Sequence, residues 1–229
     1  MNRSIRLTYN WCNQPKQLSV YLHMAMKIGL LFFSCFCFVF AHSQDSPCIK
    51  VQFIYGSKPL KKYKQTEKKW FGGIHGGHVG IEGDSDRIYS FEIAGKNKVF
   101  GGRADNCAYR CVTPEHFWSI MKTKEDSLKS TTIVIPLTEP QKHRLDSITR
   151  AYMQQVPYSY AVFGMRCAAS TYEILAQLGI LPEYSRFKTT MKIFYPRRLR
   201  KRLLYQAEKN NWTVTRKEGT PKRKWEKDV

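Results

Sequence analysis

Two short segments of alternating polarity, separated by a polar turn, constrain the fold more than any other feature of the sequence. Residues 77–82 and 87–94 place apolar and polar side chains on alternate sides, and the sequence GDSD lies between them. A period of two is typical of half-buried strands, and a turn rich in Gly and Asp joins the strands of a hairpin. The sequence therefore predicts an antiparallel β-hairpin.

The register of this hairpin brings two functional groups together. The most symmetric closure of the turn pairs Glu82 with Ile88 and sets Glu92 across from His78, with their Cβ atoms about 5 Å apart. A carboxylate beside an imidazole fixes its tautomer and raises its basicity. Glu82 shares the face but lies about 13 Å along the strand from His78. We therefore predict Glu92 as the partner of His78.

The remaining segments alternate between strand and helix patterns. Residues 49–55 and 131–137 are rich in β-branched and aromatic residues and predict strands. The sequence TEPQ, which starts at Thr138, is a capping box that predicts a helix to about Gln155. Together these patterns predict an α+β domain with a mostly antiparallel sheet.

Cys167 lies where an apolar loop becomes a helix, in the sequence FGMRCAASTYEIL. A cysteine in the first helical turn meets unpaired N–H groups and the positive end of the helix dipole, which favour the thiolate. The same N–H groups can form an oxyanion hole. A helical cysteine taken alone is more often structural, but a strand histidine with an acidic partner favours a nucleophile. We predict that Cys167 is a nucleophile with a lowered pKa.

The sequence GGHVGIE, then YSFE, and much later VPYSYAVFGMRCAASTYEIL, resembles the circularly permuted papain-like hydrolases of the NlpC type, relatives of lecithin:retinol acyltransferase. The resemblance covers residues 49 to 179. It implies a papain-like domain in which the histidine strand precedes the cysteine helix and an antiparallel sheet packs against that helix.

The resemblance also implies roles for individual residues. Cys167 matches the nucleophile, His78 the base and Glu92 the third polar residue, and Tyr158 matches a tyrosine near the site that supports the oxyanion or the substrate. The sequence departs from the family pattern at Met165-Arg166, where relatives often carry a small or polar residue such as Asp or Asn. This departure leaves the substrate class open.

Two functions from different classes follow. The first is an exported cysteine hydrolase or acyltransferase that cleaves amide or ester bonds of a cell-wall peptide or a lipid by a Cys-His-Glu mechanism. The second is a catalytically inactive envelope-binding domain that uses its basic C-terminal surface. We expect neither a cofactor nor a metal. A zinc site is the alternative, with His75, His78, Cys107 and Cys111 as ligands. A strand would point the two histidines to opposite faces, which argues against it.

The N-terminal segment predicts export. An apolar run from Ile28 to Ala41 follows a single lysine and ends in Ala41-His42-Ser43, which is typical of a signal peptide that starts at Met26. The run has 14 residues, whereas a membrane-spanning helix needs about 20; a retained anchor is the alternative. We expect residues 1–43 to be an upstream extension plus signal peptide. The exported protein is then periplasmic or extracellular, and association with the envelope is a further expectation.

Positive charge is concentrated at the C-terminal end. The chain carries a formal charge of +20, and from residue 186 onward 15 Lys or Arg stand against four acids. Because export argues against nucleic acid, we expect a cell-envelope substrate, either a peptidoglycan peptide or a lipid ester, and an anionic membrane or polymer surface. Pro196 opens a predicted helix with an apolar stripe and five surrounding bases: Arg197, Arg198, Arg200, Lys201 and Arg202.

We place the papain-like domain at 44–208 and a basic polar tail at 209–229.

Four cysteines follow the predicted cleavage site. They are Cys48, Cys107, Cys111 and Cys167. In an exported protein these residues can form disulfides. If Cys167 stays free, one pair can form among the other three, and Cys107–Cys111 is the favoured pair because the two are close in sequence.

Overall fold

A central β-sheet with helices on both of its faces carries the fold in the computed structural model, which describes residues 47–70, 75–83, 86–122 and 124–229. In this part of the chain the strands are β1 (Cys48–Ile54), β2 (Ser57–Pro59), β3 (His78–Glu82), β4 (Ile88–Ile93), β5 (Lys98–Phe100), β6 (Cys107–Val112), β7 (Ser130–Pro136), β8 (Ala161–Phe163), β9 (Val214–Lys217) and β10 (Arg223–Trp225). The α-helices are α1 (Pro114–Ser119), α2 (Glu139–Gln154), α3 (Cys167–Gln177), α4 (Arg186–Lys192) and α5 (Pro196–Asn210).

The sheet has six strands in the order β6-β4-β3-β1-β7-β9, and every pairing within it is antiparallel. Two smaller pairs lie outside it: β2 with β10, antiparallel, and β5 with β8, parallel. The predicted α+β class with a mostly antiparallel sheet is therefore confirmed. The capping box is also confirmed, because the Thr138 hydroxyl accepts a hydrogen bond from the Gln141 N–H and the Gln141 side chain accepts one from the Thr138 N–H.

The hairpin has the predicted register where its ladder is formed. Glu82 lies opposite Ile88, and Gly80 lies opposite Ser90. The ladder described between β3 and β4 ends at the Gly80–Ser90 pair, while on the other side of β3 the pairing continues to His78, opposite Ile54 of β1. His78 is therefore held at the start of β3 chiefly by β1.

Apolar side chains cover both faces of the sheet. On one face, Val79 and Ile81 of β3 belong to the main core together with Ala168, Ala169 and Tyr172 of α3. Two alanines in the first turn of α3 let the helix approach β3 and β4 closely. On the other face a second apolar cluster surrounds Phe117 and Trp118 of α1. Burial of each large side chain contributes about 1.5–3 kcal/mol, so both clusters fix the sheet in place.

The C-terminal segment is part of the domain, which corrects the expected tail. β9 extends the central sheet beside β7, and β10 pairs with β2. The buried Arg223 donates to the Ser57 hydroxyl over 2.8 Å and to Glu67 over 3.1 Å. Residues 209–229 are therefore not a solvated basic tail, because two of their segments are strands paired with the rest of the fold.

Helix α5 has the predicted apolar stripe, but two of its five bases are not free surface charges. Leu199 and Leu203 are buried in the core. Arg200 is fully buried, 2.8 Å from Glu226 and 3.6 Å from the Tyr55 ring centroid. Arg202 donates to the hydroxyls of two tyrosines. The expected all-round basic surface on this helix is thus wrong in part.

The favoured disulfide is also wrong. Cys107 and Cys111 both lie on β6, four residues apart and thus about 13 Å along the strand. A disulfide needs Cα atoms within about 7 Å. Within the described ranges, the thiols of Cys48, Cys107, Cys111 and Cys167 are all free.

The predicted signal peptide and upstream extension lie outside the described residues. Among the helices that are described, none is both long enough and apolar enough to cross a membrane.

Candidate active site

Cys167 is the first residue of α3, as the sequence predicts. The backbone of Arg166 is extended (φ −139°, ψ 175°), and its carbonyl accepts the first helical hydrogen bond from the Ser170 N–H. The helix ends at Gln177, and Gly179 follows with φ +73°, a left-handed conformation that glycine adopts without strain. This geometry places the thiol at the positive end of the helix.

The Cys167 thiol is buried, and this changes its expected ionisation. Burial raises its pKa and outweighs four opposing influences: the positive charge of Arg166 and hydrogen bonds from the N–H of Ala168, the N–H of Val79 and the Tyr160 hydroxyl. The net pKa lies above the ordinary thiol value. The predicted thiolate is therefore wrong for the resting protein. Loss of hydration destabilises the thiolate more than the Arg166 charge and the three hydrogen-bond donors stabilise it.

Arg166 is fixed beside the thiol. Its guanidinium lies 3.5 Å from the Phe194 ring centroid and donates to the Phe194 carbonyl. Burial lowers the pKa of Arg166, yet the group stays charged at neutral pH because guanidinium deprotonates only at very high pH. The residue that departs from the family pattern thus supplies a positive charge next to Cys167.

His78 is buried and uncharged at neutral pH. Burial lowers the pKa of its imidazole to about 4. Nε2 lies 2.6 Å from the Ser90 hydroxyl oxygen, and the ring packs against Phe117 with centroids 5.5 Å apart. Ser90 is itself fully buried. A neutral imidazole held by a hydroxyl can serve as a proton acceptor.

Ser90 therefore takes the place that the sequence assigned to Glu92, and this is a correction. Glu92 lines the same cavity as His78, but one carboxylate oxygen lies 3.8 Å from Arg110 Nε and the other is buried without a hydrogen-bond partner. The ladder ends before the 78–92 pair, so the diagonal neighbour at 90 is the residue that reaches Nε2. The predicted register already placed Ser90 on this face, which was the signal that could have found it.

Two glycines position His78. A Cβ at Gly77 would lie 2.3 Å from the Ile54 carbonyl oxygen, and a Cβ at Gly80 would lie 2.9 Å from Phe117. Both distances are too short for a side chain. The glycines therefore let β3 approach β1 and let Phe117 pack beneath the imidazole.

The tyrosine that contacts the thiol is Tyr160, not Tyr158. The Tyr158 hydroxyl lies 2.7 Å from the Ser170 hydroxyl, one turn into α3. Tyr160 lines the cavity and donates to Cys167 Sγ. The predicted role of Tyr158 is thus corrected: the motif YSY marks the right segment, but the second tyrosine faces the site.

His78 and Cys167 face one cavity of about 370 Å³. Its walls are mainly apolar, with Phe91, Ile93, Met121 and Phe194 among them. Polar groups are few; besides the two candidate residues they are His75, Glu92, Asn97, Lys122, Tyr160, Arg166 and Tyr195. An apolar cleft of this size with a few convergent polar groups is typical of a site for a small molecule or a chain end.

The two side chains face this cavity without a direct hydrogen bond between them among the contacts described. The Val79 N–H, next to His78 in the chain, instead points at Cys167 Sγ. Catalytic hydrogen bonds are often long without substrate and shorten when it binds.

Within the part of the chain that the structure describes, no group of three or more His, Cys, Asp or Glu could hold a metal ion.

Comparisons with known proteins give one distant structural similarity. No protein-family model and no curated protein matches the chain. Among solved structures, it is similar to a type VI secretion system effector, TseH, at 13% sequence identity and a TM-score of 0.41. The match covers 76% of this chain and 100% of that chain. A TM-score this low does not establish a shared fold.

Proposed function

We propose that this chain is an exported cysteine hydrolase or acyltransferase that acts on amide or ester bonds through a papain-like domain of the circularly permuted NlpC type. The observation that carries the proposal is the joint position of Cys167 and His78. A helix N-terminus presents the thiol, a neighbouring strand presents the imidazole, and both face one apolar cavity. The strand precedes the helix in the chain, which supports the permuted order.

The first step starts from a neutral pair. His78 is neutral at pH 7, so it can accept the thiol proton as Cys167 Sγ attacks the substrate carbonyl carbon. If Nε2–H donates to Ser90, Nδ1 is the unprotonated nitrogen that takes this proton. The proton moves during the attack, because burial disfavours a preformed thiolate.

The attack converts the carbonyl into a tetrahedral oxyanion. The N–H groups of the first turn of α3 and the Tyr160 hydroxyl are the donors available to stabilise it, and the charge of Arg166 adds to their field. His78 then returns the proton to the leaving amine or alcohol, and a thioester forms on Cys167. Water or an acceptor then attacks the thioester carbonyl and gives its proton to His78. The acyl group leaves as the free acid or on the acceptor, and His78 returns the proton to the departing sulfur, which regenerates the Cys167 thiol.

The substrate belongs to the cell envelope in this proposal, either a peptidoglycan peptide or a lipid ester. The predicted export motivates that choice, and the largely apolar cavity walls favour an acyl or apolar side chain at the scissile carbonyl.

A turnover assay with activated acyl esters tests the proposal. p-Nitrophenyl acetate and p-nitrophenyl octanoate supply a good leaving group and two chain lengths, so that chemistry does not depend on knowing the natural substrate. We expect turnover by the wild type, none by Cys167→Ala or His78→Gln, and wild-type rates for Cys48→Ala as the matched thiol control. Equal rates for Cys167→Ala and the wild type would refute the proposed nucleophile.

The second candidate is a catalytically inactive envelope-binding domain. The raised pKa of Cys167 favours it, because a structural cysteine would show the same direction. A wild-type protein that hydrolyses neither ester, yet sediments with isolated peptidoglycan or anionic vesicles, would establish this function instead.

A further inference from the structure

Most of the large apolar side chains that the structure describes as exposed belong to one surface beside the candidate site. We name this surface the apolar rim; it consists of Val99, Phe100, Val162, Phe163, Phe187, Met191 and Tyr195. Phe187 is 77% exposed, Phe100 71% and Phe163 60%. Soluble proteins rarely expose contiguous apolar surface of this kind unless it binds something.

Ring contacts, one of them through Phe194, and a shared depression connect the aromatic residues of the rim. Phe100 and Phe163 lie opposite each other in the β5–β8 pair, with ring centroids 5.8 Å apart. Phe163 contacts Phe194 at 6.3 Å, and Phe194 contacts Tyr195 at 4.7 Å. Phe187 lies at a shallow depression whose other walls include the glycines that follow Phe100 and Phe163. Met191 is one helical turn further along α4.

The rim also borders the mouth of the cavity that holds Cys167. Val162 and Tyr195 belong to both, since each is an exposed rim residue and a wall of that cavity. Whatever covers the rim therefore lies against the opening of the site.

Basic residues surround the rim. The two segments that carry most of it, 94–105 and 183–198, contain eight Lys or Arg and two acids. Of the two acids, Asp105 is paired with Lys98. On α4, Lys188 and Lys192 directly follow the exposed Phe187 and Met191 in the sequence. Exposed aromatic residues flanked by Lys and Arg are typical of elements that lie in the interface of an anionic membrane.

We propose that the apolar rim docks the protein on anionic phospholipid bilayers, with the aromatic side chains inserted at the level of the headgroups and the bases facing them. Docking places the cavity mouth at the lipid–water boundary. The binding does not depend on Cys167 reacting, so it is distinct from the proposed enzymatic activity.

Vesicle co-sedimentation tests this proposal with the purified protein. We compare vesicles of phosphatidylcholine alone with vesicles of phosphatidylcholine and phosphatidylglycerol at a molar ratio of about 7:3, a composition chosen to supply negative surface charge. We expect binding to the anionic vesicles that weakens with salt. Because burial of about 60 Å² of apolar surface corresponds to about a tenfold change in partition, Phe100→Ser combined with Phe163→Ser should weaken binding at least tenfold.

Controls separate the rim from other surfaces. Tyr205→Ser removes an equally exposed aromatic side chain from α5 and should bind as the wild type does. Phe187→Ser should weaken binding on its own, which covers the case in which the double variant fails to fold. Cys167→Ala should bind like the wild type, so loss of enzymatic activity leaves this prediction intact.

Three results would overturn the proposal. The first is wild-type affinity of both rim variants for anionic vesicles, with loss only in Lys188→Gln combined with Lys192→Gln, which would mean that charge alone binds. The second is no binding of the wild type to either vesicle. The third is self-association in light scattering that the rim variants abolish, which would mean that a second copy of the chain covers the rim.

Discussion

The buried neutral imidazole of His78 predicts that the protein loses stability in mild acid. The folded-state pKa of about 4 lies below the ordinary histidine value of 6.5, so between these two pH values the unfolded chain binds one more proton than the folded chain. Unfolding is therefore favoured as pH falls. The effect begins near pH 6.5 and is complete near pH 4. The difference of about 2.5 pH units corresponds to about 3 kcal/mol over the whole window.

Urea unfolding of wild type and His78→Gln measures this directly. Between pH 7.5 and pH 5.0 the His78 contribution to the free energy of unfolding should fall by about 2 kcal/mol, and His78→Gln should lack that part of the decrease. His143, exposed on α2, provides the matched control: a change in stability that His143→Gln also shows is not specific to the buried imidazole. Equal decreases in wild type and His78→Gln would refute the claim that His78 is buried and neutral.

Three further predictions follow from single contacts. Ser90→Ala should lower the ester turnover number by about tenfold to a hundredfold, the loss that follows when a partner that orients a metal-bound histidine is removed. Ser90→Thr should retain part of the turnover, and wild-type turnover in Ser90→Ala would contradict the role of the hydroxyl. Gly77→Ala should destabilise the fold by about 2 kcal/mol or more, since its Cβ would meet the Ile54 carbonyl at 2.3 Å, and thermal unfolding measures this; an unchanged melting temperature would contradict it. Glu226→Gln should cost about 3 kcal/mol in urea unfolding, because it leaves the Arg200 charge buried and unpaired; a loss below about 0.5 kcal/mol would count against that pairing.

The hairpin register could be predicted from sequence because turn length and alternation together determine it. The polar turn fixes which residues face one another, so the pairs Glu82–Ile88 and Gly80–Ser90 form as expected. The same register places both Ser90 and Glu92 on the face of His78, but it does not decide which of them reaches the imidazole. That depends on where the β3–β4 ladder ends, and the ladder ends at the Gly80–Ser90 pair while His78 stays paired with Ile54 of β1.

The ionisation of Cys167 could not be predicted because sequence reveals the helix dipole but not the depth of burial. The first-turn position is apparent from the pattern that follows Arg166, and it favours a thiolate. Burial under Tyr160 and the cavity walls acts in the opposite direction and prevails. Tyr158 is assigned by the resemblance alone; because Tyr158 and Tyr160 are both buried, the sequence does not show which of them faces the thiol.

The C-terminal segment shows a similar failure with a different cause. A count of charges treats every Arg as solvated. Arg200 and Arg223 are instead buried, each beside a carboxylate and an aromatic ring: Glu226 and Tyr55 for the first, Glu67 and Trp70 for the second. Carboxylate partners distant in sequence make such burial possible, and no local pattern indicates them.

Mass spectrometry of the protein after brief exposure to p-nitrophenyl octanoate tests the central claim most directly. The account predicts one octanoyl group per chain, mapped to the peptide that contains Cys167, released by hydroxylamine as a thioester is, and absent in His78→Gln. An adduct distributed over Cys48, Cys107 and Cys111, or an unmodified Cys167 in the wild type, would contradict the claim that Cys167 and His78 form a nucleophile and its base.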